Sequence, residues 1–197
     1  HRDVRNGLSR SRTIAGFHTP DALSERLLRD DDAACQQLIA NTNWHERLRP
    51  YQIEANRSVE QAIADHKRQM LMAMATGTGK TFTMVNQVYR LMKAGIAKRV
   101  LFLVDRRALA AQAVRAFASF EAEPGKKFNF IYEVYSQRFR REDWGDDDPF
   151  DPQVLPEHYL TRPSPDHAFV YVCTIQRMVI NLLGRNSIFA LDDTIDE

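Results

Sequence analysis

The residues that most constrain this chain are Met74-Ala75-Thr76-Gly77-Thr78-Gly79-Lys80-Thr81, set between an apolar run and an amphipathic stretch. The run Met70-Leu71-Met72-Ala73-Met74 is short and uninterrupted, which suits a strand buried on both faces of a parallel sheet. After Lys80 and Thr81, the side chains Phe82, Val85, Tyr89 and Met92 recur every three or four residues, and Gly95 stands where such a helix would end. The pattern therefore predicts strand, glycine loop, helix. A helix start carries unpaired amide donors, and these complement clustered negative oxygens. Gly77 and Gly79 let the backbone wrap such a group with positive φ and no Cβ in the way. Thr76 and Thr78 fall inside the loop, Lys80 is placed to bridge the outer phosphates of a nucleoside triphosphate, and the Thr81 hydroxyl is placed to ligate Mg²⁺. The strict form of this motif has glycine where this chain has Met74. The flanking strand and helix carry the reading; the competing one is a glycine-rich turn with a surface lysine.

Outside the loop, strand and helix signals alternate. A helix is predicted over about 51–66 from Ala55, Val59, Ala62 and Ile63. Val100-Leu101-Phe102-Leu103-Val104 reads as a second buried strand, followed by a helix with Leu109, Ala113, Phe117 and Phe120 on one face. Phe128 to Tyr135 is a further strand candidate. Phe169-Val170-Tyr171-Val172-Cys173 is another, with Ile175, Met178, Val179, Leu182 and Leu183 marking the helix after it. This alternation implies an α/β lobe with a parallel sheet flanked by helices. Residues 1–46 read as a linker arm, with a short helix begun by Thr19-Pro20 and presenting Leu23, Leu27 and Leu28. Residues 47–197 read as the lobe, and 138–165, rich in Asp and Pro, as a surface insertion.

Charge matters by distribution. The totals, 27 Lys+Arg against 26 Asp+Glu, leave a net charge of +1 and favour no class of partner. Arg90, Lys93, Lys98, Arg99, Arg106, Arg107 and Arg115 nevertheless cluster within 86–115, where Asp105 is the only acid, so this stretch is the candidate for meeting phosphates. An acidic patch occupies 142–151. Two cysteines without C-x-x-C spacing point to a reducing compartment, and no apolar run approaches the ~18 residues of a membrane span, so the cytoplasm is the expected location. The histidines show no zinc-type spacing.

Three blocks resemble helicase superfamily 2. The first is the phosphate loop, preceded by Leu48-Arg49-Pro50-Tyr51-Gln52, which resembles the glutamine motif. In that motif the residue matching Gln52 reads the adenine edge through its amide, with Arg49 beside it, which implies ATP as the nucleotide. The second, Asp105-Arg106-Arg107-Ala108-Leu109-Ala110-Ala111-Gln112, is similar to the strand-end motif that touches the DNA backbone, with Arg106, Arg107 and Gln112 as contacts. A solvated arginine pair at a helix start is the plain alternative. The third, Cys173-Thr174-Ile175-Gln176-Arg177-Met178, resembles the next strand-end motif, with Thr174 and Gln176 toward another phosphate; helix capping by Thr174 is the alternative.

The three blocks in register, with the arm His1-Arg2-Asp3-Val4-Arg5, look like the R subunit of type I restriction-modification enzymes. That resemblance implies the first RecA-like lobe of a DNA-translocating motor inside an ATP-dependent, site-specific deoxyribonuclease. Its cofactors would be ATP and Mg²⁺, and its partners double-stranded DNA with specificity and methyltransferase subunits. Hydrolysis in this superfamily also needs an Asp-Glu box on a strand. Asp196-Glu197, preceded by Asp192 and Asp193, lack the buried strand such a box requires. The lobe is therefore expected to be incomplete at its C-terminal end, with an open sheet edge, and this stretch by itself to be inactive. Two other classes stay open: a phosphotransferase on the same loop, and a non-catalytic DNA-binding module in which the loop is vestigial.

Overall fold

A computed structural model describes Pro20, Ser24 and residues 30–43, 45–139, 152–156, 158–161 and 167–183. The chain divides into two units, His1–Asp30 and Asp31–Glu197. The elements of the second run α1 (Asp31–Ala40), α2 (Pro50–Ala64), α3 (Lys80–Lys93), β1 (Arg99–Val104), α4 (Arg107–Ser119), β2 (Glu121–Glu123), β3 (Lys126–Lys127), α5 (Phe128–Ile131), β4 (Glu133–Ser136), β5 (Gln153–Val154), α6 (His158–Thr161), β6 (Phe169–Thr174) and α7 (Ile175–Leu183). Residues 31–46, assigned from sequence to an arm, thus fall in the same unit as the lobe. The helix expected from Thr19-Pro20 and the acidic patch at 142–151 lie outside the described residues, apart from Pro20 and Ser24.

The main sheet is wholly parallel in the order β1-β6-β4-β5. One face carries Val100, Phe102 and Val104 in register with Val170, Val172 and Thr174. Against it pack Val85, Val88, Tyr89 and Met92 of α3 and Ala110, Ala113, Val114 and Phe117 of α4, joined by Phe120 and Phe128. The helical spacing read from sequence therefore buries the faces it predicts. α3 ends in a Schellman motif: Gly95, with φ 74°, donates to Met92 O, and Ile96 donates to Leu91 O. The opposite face holds a smaller cluster of Tyr135, Leu155, Phe169, Tyr171 and Cys173 under Tyr159 and Met178. That cover stops short of β1, where Leu101 and Leu103 are each 44% exposed.

Three expectations need correction. Met70–Met74 forms no strand; it is irregular backbone on the surface, and Leu71 is 95% exposed. Its neighbour in the sheet would have to complete a hydrogen-bonded ladder, and among the described residues β1 is paired on one side only, to β6. Phe128 to Tyr135 is not one strand but the single turn α5 followed by β4, because Phe128 turns into the core at 0% exposure and breaks the alternation. The described part of 138–165 includes β5, which extends the sheet beside β4, and Leu155, which is buried in the second cluster. That part of the supposed insertion belongs to the lobe.

Candidate nucleotide site

The glycine loop takes the conformation its residues predict. Gly77 has φ 80° and Gly79 has φ 78°, and Gly79 caps α3 in the left-handed region. Among the described residues the only non-glycine with positive φ is His66, so Met74 stands at a position that needs no glycine. The departure from the strict motif is thereby explained in backbone terms. The loop closes on its own carbonyls. Ala75 O accepts from Thr78 Oγ1 at 2.7 Å and from Lys80 Nζ at 3.1 Å, and Lys80 Nζ lies 3.4 Å from Met74 O. The ammonium thus occupies backbone acceptors that phosphate oxygens can replace with stronger, charge-assisted bonds.

α2 holds the loop from outside. Pro50 at its first turn leaves no orphan amide, and Gln52 Oε1 accepts from Arg49 N–H at 2.9 Å, the reach-back of a capping box. The same Gln52 amide donates through Nε2 to Thr78 O at 2.8 Å, and Tyr51 Oη donates to that carbonyl at 3.0 Å. A Cβ on Gly79 would lie 2.6 Å from Gln52 Nε2, so the glycine also admits the glutamine. An amide has two donors and two lone pairs, so Gln52 keeps one N–H and one lone pair beyond these two bonds. Tyr51 was read from sequence only as a member of its motif; its bond to the loop depends on the fold. Of the other predicted residues, the Arg49 backbone meets Gln52, Thr76 is exposed, and Thr81 is half-buried on the first turn of α3.

Of the predicted phosphate contacts, Arg106 and Arg107 follow β1 while Thr174 and Gln176 stand at the end of β6, strands that lie side by side because Val104 pairs with Thr174; Gln112 stands in the middle of α4. Arg106 precedes α4 with its side chain 79% exposed and 3.7 Å from Asp105; Arg107 is half-buried, and Gln112 is exposed. Gln176 is exposed on α7. Thr174 is buried and caps α7 by accepting from Arg177 N–H at 3.2 Å. Sequence reading missed Gln137, whose Oε1 accepts from both the amide and the hydroxyl of Thr174, at 2.8 and 3.1 Å. No sequence signal marks it; only pairing of β4 with β6 brings it there.

Two members of the basic cluster serve the fold. Arg90 lies in a buried ion pair with Glu60, 2.6 Å from Nε to Oε1, and its Nη2 donates to Leu38 O and Asn41 O at the end of α1. Lys93 hydrogen-bonds Glu123 at 2.7 Å, which raises its pKa above the ordinary lysine value.

The parallel lobe, and the glycine loop at the head of α3 latched by a glutamine, define a P-loop lobe of the RecA-like, helicase-type class. The chain belongs to the restriction-enzyme family whose model, described as "Type III restriction enzyme, res subunit", matches residues 45–193. It is 40% identical over 135 residues to the Type I restriction enzyme EcoKI endonuclease subunit of Escherichia coli K12, a match covering 68% of this chain and 12% of that protein. Over 64 residues it is 42% identical to the Type I restriction enzyme EcoAI endonuclease subunit of Escherichia coli, which is 32% of this chain and 8% of that one. The chain therefore spans about an eighth or less of these relatives' length. No solved structure matches it significantly. Among the described residues no helix is long and apolar enough to cross a membrane.

Proposed function

We propose that this chain is the ATP-binding part of the DNA-translocating motor of a type I restriction endonuclease R subunit, in which ATP hydrolysis drives movement along double-stranded DNA before cleavage. The observation that carries this reading is the self-bonded loop: a helix-capping glycine turn whose lysine rests on carbonyls and whose outer side is held by Gln52. The residues fit Mg·ATP. A Cβ on Gly77 would meet nothing within 4 Å, so open space adjoins the loop's turn. Lys80 exchanges its carbonyl partners for phosphate oxygens, the first amides of α3 face the same oxygens, and Gln52 offers its remaining donor and acceptor to the adenine edge. Thr81 would supply one oxygen to Mg²⁺, an ion that in sites of this kind is held largely by phosphate and water. The ion, when bound, neutralises charge on the phosphates.

Arg106, Arg107, Gln112, Thr174 and Gln176 are assigned to the DNA backbone, with Thr174 held by Gln137. The partners would be the specificity and methyltransferase subunits of the complex, and the location the cytoplasm. The test is calorimetry of Mg·ATP with the chain and with Lys80→Ala. Binding lost in the variant supports the site; binding unchanged in the variant refutes it and favours a vestigial loop. DNA-stimulated ATP hydrolysis by the full-length parent separates a motor from a phosphotransferase.

A further inference from the structure

The contact between α2 and α3 is polar where helix contacts are ordinarily apolar. On α2 the residues Gln52, Asn56 and Glu60, spaced by four, are 4%, 0% and 3% exposed. Facing them on α3 is Gln87, 2% exposed, with the buried guanidinium of Arg90 a turn further on. Glu60 bonds across to both, accepting from Gln87 Nε2 at 3.3 Å and from Arg90 Nε at 2.6 Å. At the other end of the seam Gln52 bonds across to the loop at Thr78. Apolar ridges tolerate sliding, whereas hydrogen bonds hold only within a few tenths of an ångström, so a polar seam fixes one helix along the other.

The middle of the seam is unfinished. Both amide atoms of Asn56 and the Oε1 of Gln87 are buried without a hydrogen-bond partner. Asn56 Nδ2 is a donor and Gln87 Oε1 an acceptor, so the two orphans are complementary. Nothing in a purely structural contact requires buried amides here, since a pair of apolar side chains of similar shape would avoid the cost of leaving them unpaired. From this we infer that Gln87 is a positioning residue for the base of the bound nucleotide: its bond to Glu60, with the Glu60–Arg90 pair, sets where α2 stands along α3, and hence where Gln52 stands beside the phosphate loop. The inference rests on the ATP-site reading above.

Gln52 and Tyr51 share one loop carbonyl, Thr78 O, whereas a base would meet Gln52 directly, so the seam should matter more for a ligand that has a base than for one that lacks it. The experiment compares Mg·ATP with Mg·tripolyphosphate by calorimetry, on the unaltered chain and on the Asn56→Leu, Gln87→Leu double variant. The variant should melt near the temperature of the parent sequence, because the loss of the long Gln87–Glu60 hydrogen bond at 3.3 Å is offset by removal of three unpaired polar atoms. Its affinity for tripolyphosphate should change less than about twofold, while that for ATP falls about tenfold, ~1.4 kcal/mol. Where the double variant does not fold, Gln87→Leu alone is measured against the same two ligands, with half the effect or more expected. ATP affinity unchanged, or both affinities lowered by the same factor, overturns the inference while leaving the ATP site intact. Failure of the unaltered chain to bind either ligand overturns the ATP-site reading, and this inference with it.

Discussion

Gly77 and Gly79 have nearly the same backbone conformation and different surroundings, and that difference is measurable. At φ 80° and 78° each substitution to alanine places a Cβ in the left-handed region, at a cost of ~1–2 kcal/mol. For Gly77→Ala nothing is added, because no atom stands within 4 Å of the new methyl. For Gly79→Ala the methyl would sit 2.6 Å from Gln52 Nε2. That atom is the tip of a flexible side chain, so the clash itself is relieved by a rotation. The rotation, however, breaks the bonds to Thr78 O and from Arg49 N–H, at 2.8 and 2.9 Å, in a residue 4% exposed. Two net hydrogen bonds at ~0.5–1.5 kcal/mol each add ~1–3 kcal/mol. Urea unfolding followed by circular dichroism should therefore give losses of ~1–2 kcal/mol for Gly77→Ala and ~2–5 kcal/mol for Gly79→Ala at equal slope. In a Gln52→Ala background the excess should vanish, a coupling that a double-mutant cycle isolates. Equal losses in the two alanine variants, or an excess that survives removal of Gln52, would refute the latch between α2 and the loop.

Further outcomes follow from the same geometry. Arg90→Met should lose ~3–5 kcal/mol in the same unfolding assay, because it strands Glu60, whose side chain is 4% exposed, and frees the carbonyls at the end of α1; a loss below ~1 kcal/mol would mean the pair is not buried in solution. Burial pushes the Cys173 thiol up to about 11 and also raises that of Cys35, so thiol titration at pH 8–9 should stay slow in the native chain and become fast only in denaturant. A Cys173 that reacts as an exposed thiol in the native chain would contradict its place under Met178. In the parent enzyme, replacing Arg106 and Arg107 should weaken DNA binding for every sequence alike and flatten the salt dependence by about one unit per lost contact, checked by affinity against salt concentration.

How much of this could be read from sequence depends on the range of the interaction involved. The glycines, the face of α3 and the strands at 99–104 and 169–174 follow from local pattern, and the structure agrees with each to within a residue or two. The pairing of Gln52 with the loop was legible only through resemblance, since a Tyr-Gln dipeptide has no intrinsic destination. Arg90 was misjudged for the opposite reason. Counted along the chain it belongs to a basic stretch, but its ion-pair partner Glu60 is thirty residues away and on another helix. Charge runs record composition; which members face solvent is a tertiary fact. Gln137 shows the limit most clearly, because its role exists only once β4 has been laid beside β6.

Met70–Met74 carries the same lesson into the site. Its apolar run describes what the segment does when flanked by two ladders, and the pattern contains no information on whether the ladders are present. Among the described residues β1 is paired on one side only, with Leu101 and Leu103 half-covered, while Met70 and Leu71 are 44% and 95% exposed. The phosphate loop keeps its turn nonetheless, because what holds it is Gln52 and Tyr51 from α2 on one side and the cap of α3 on the other. Loop geometry and sheet geometry are therefore separable in this lobe. A strand laid against β1 would pair its backbone and tie down the chain ahead of Ala75, whereas the hydrogen bonds that shape residues 75–80 are already made without it.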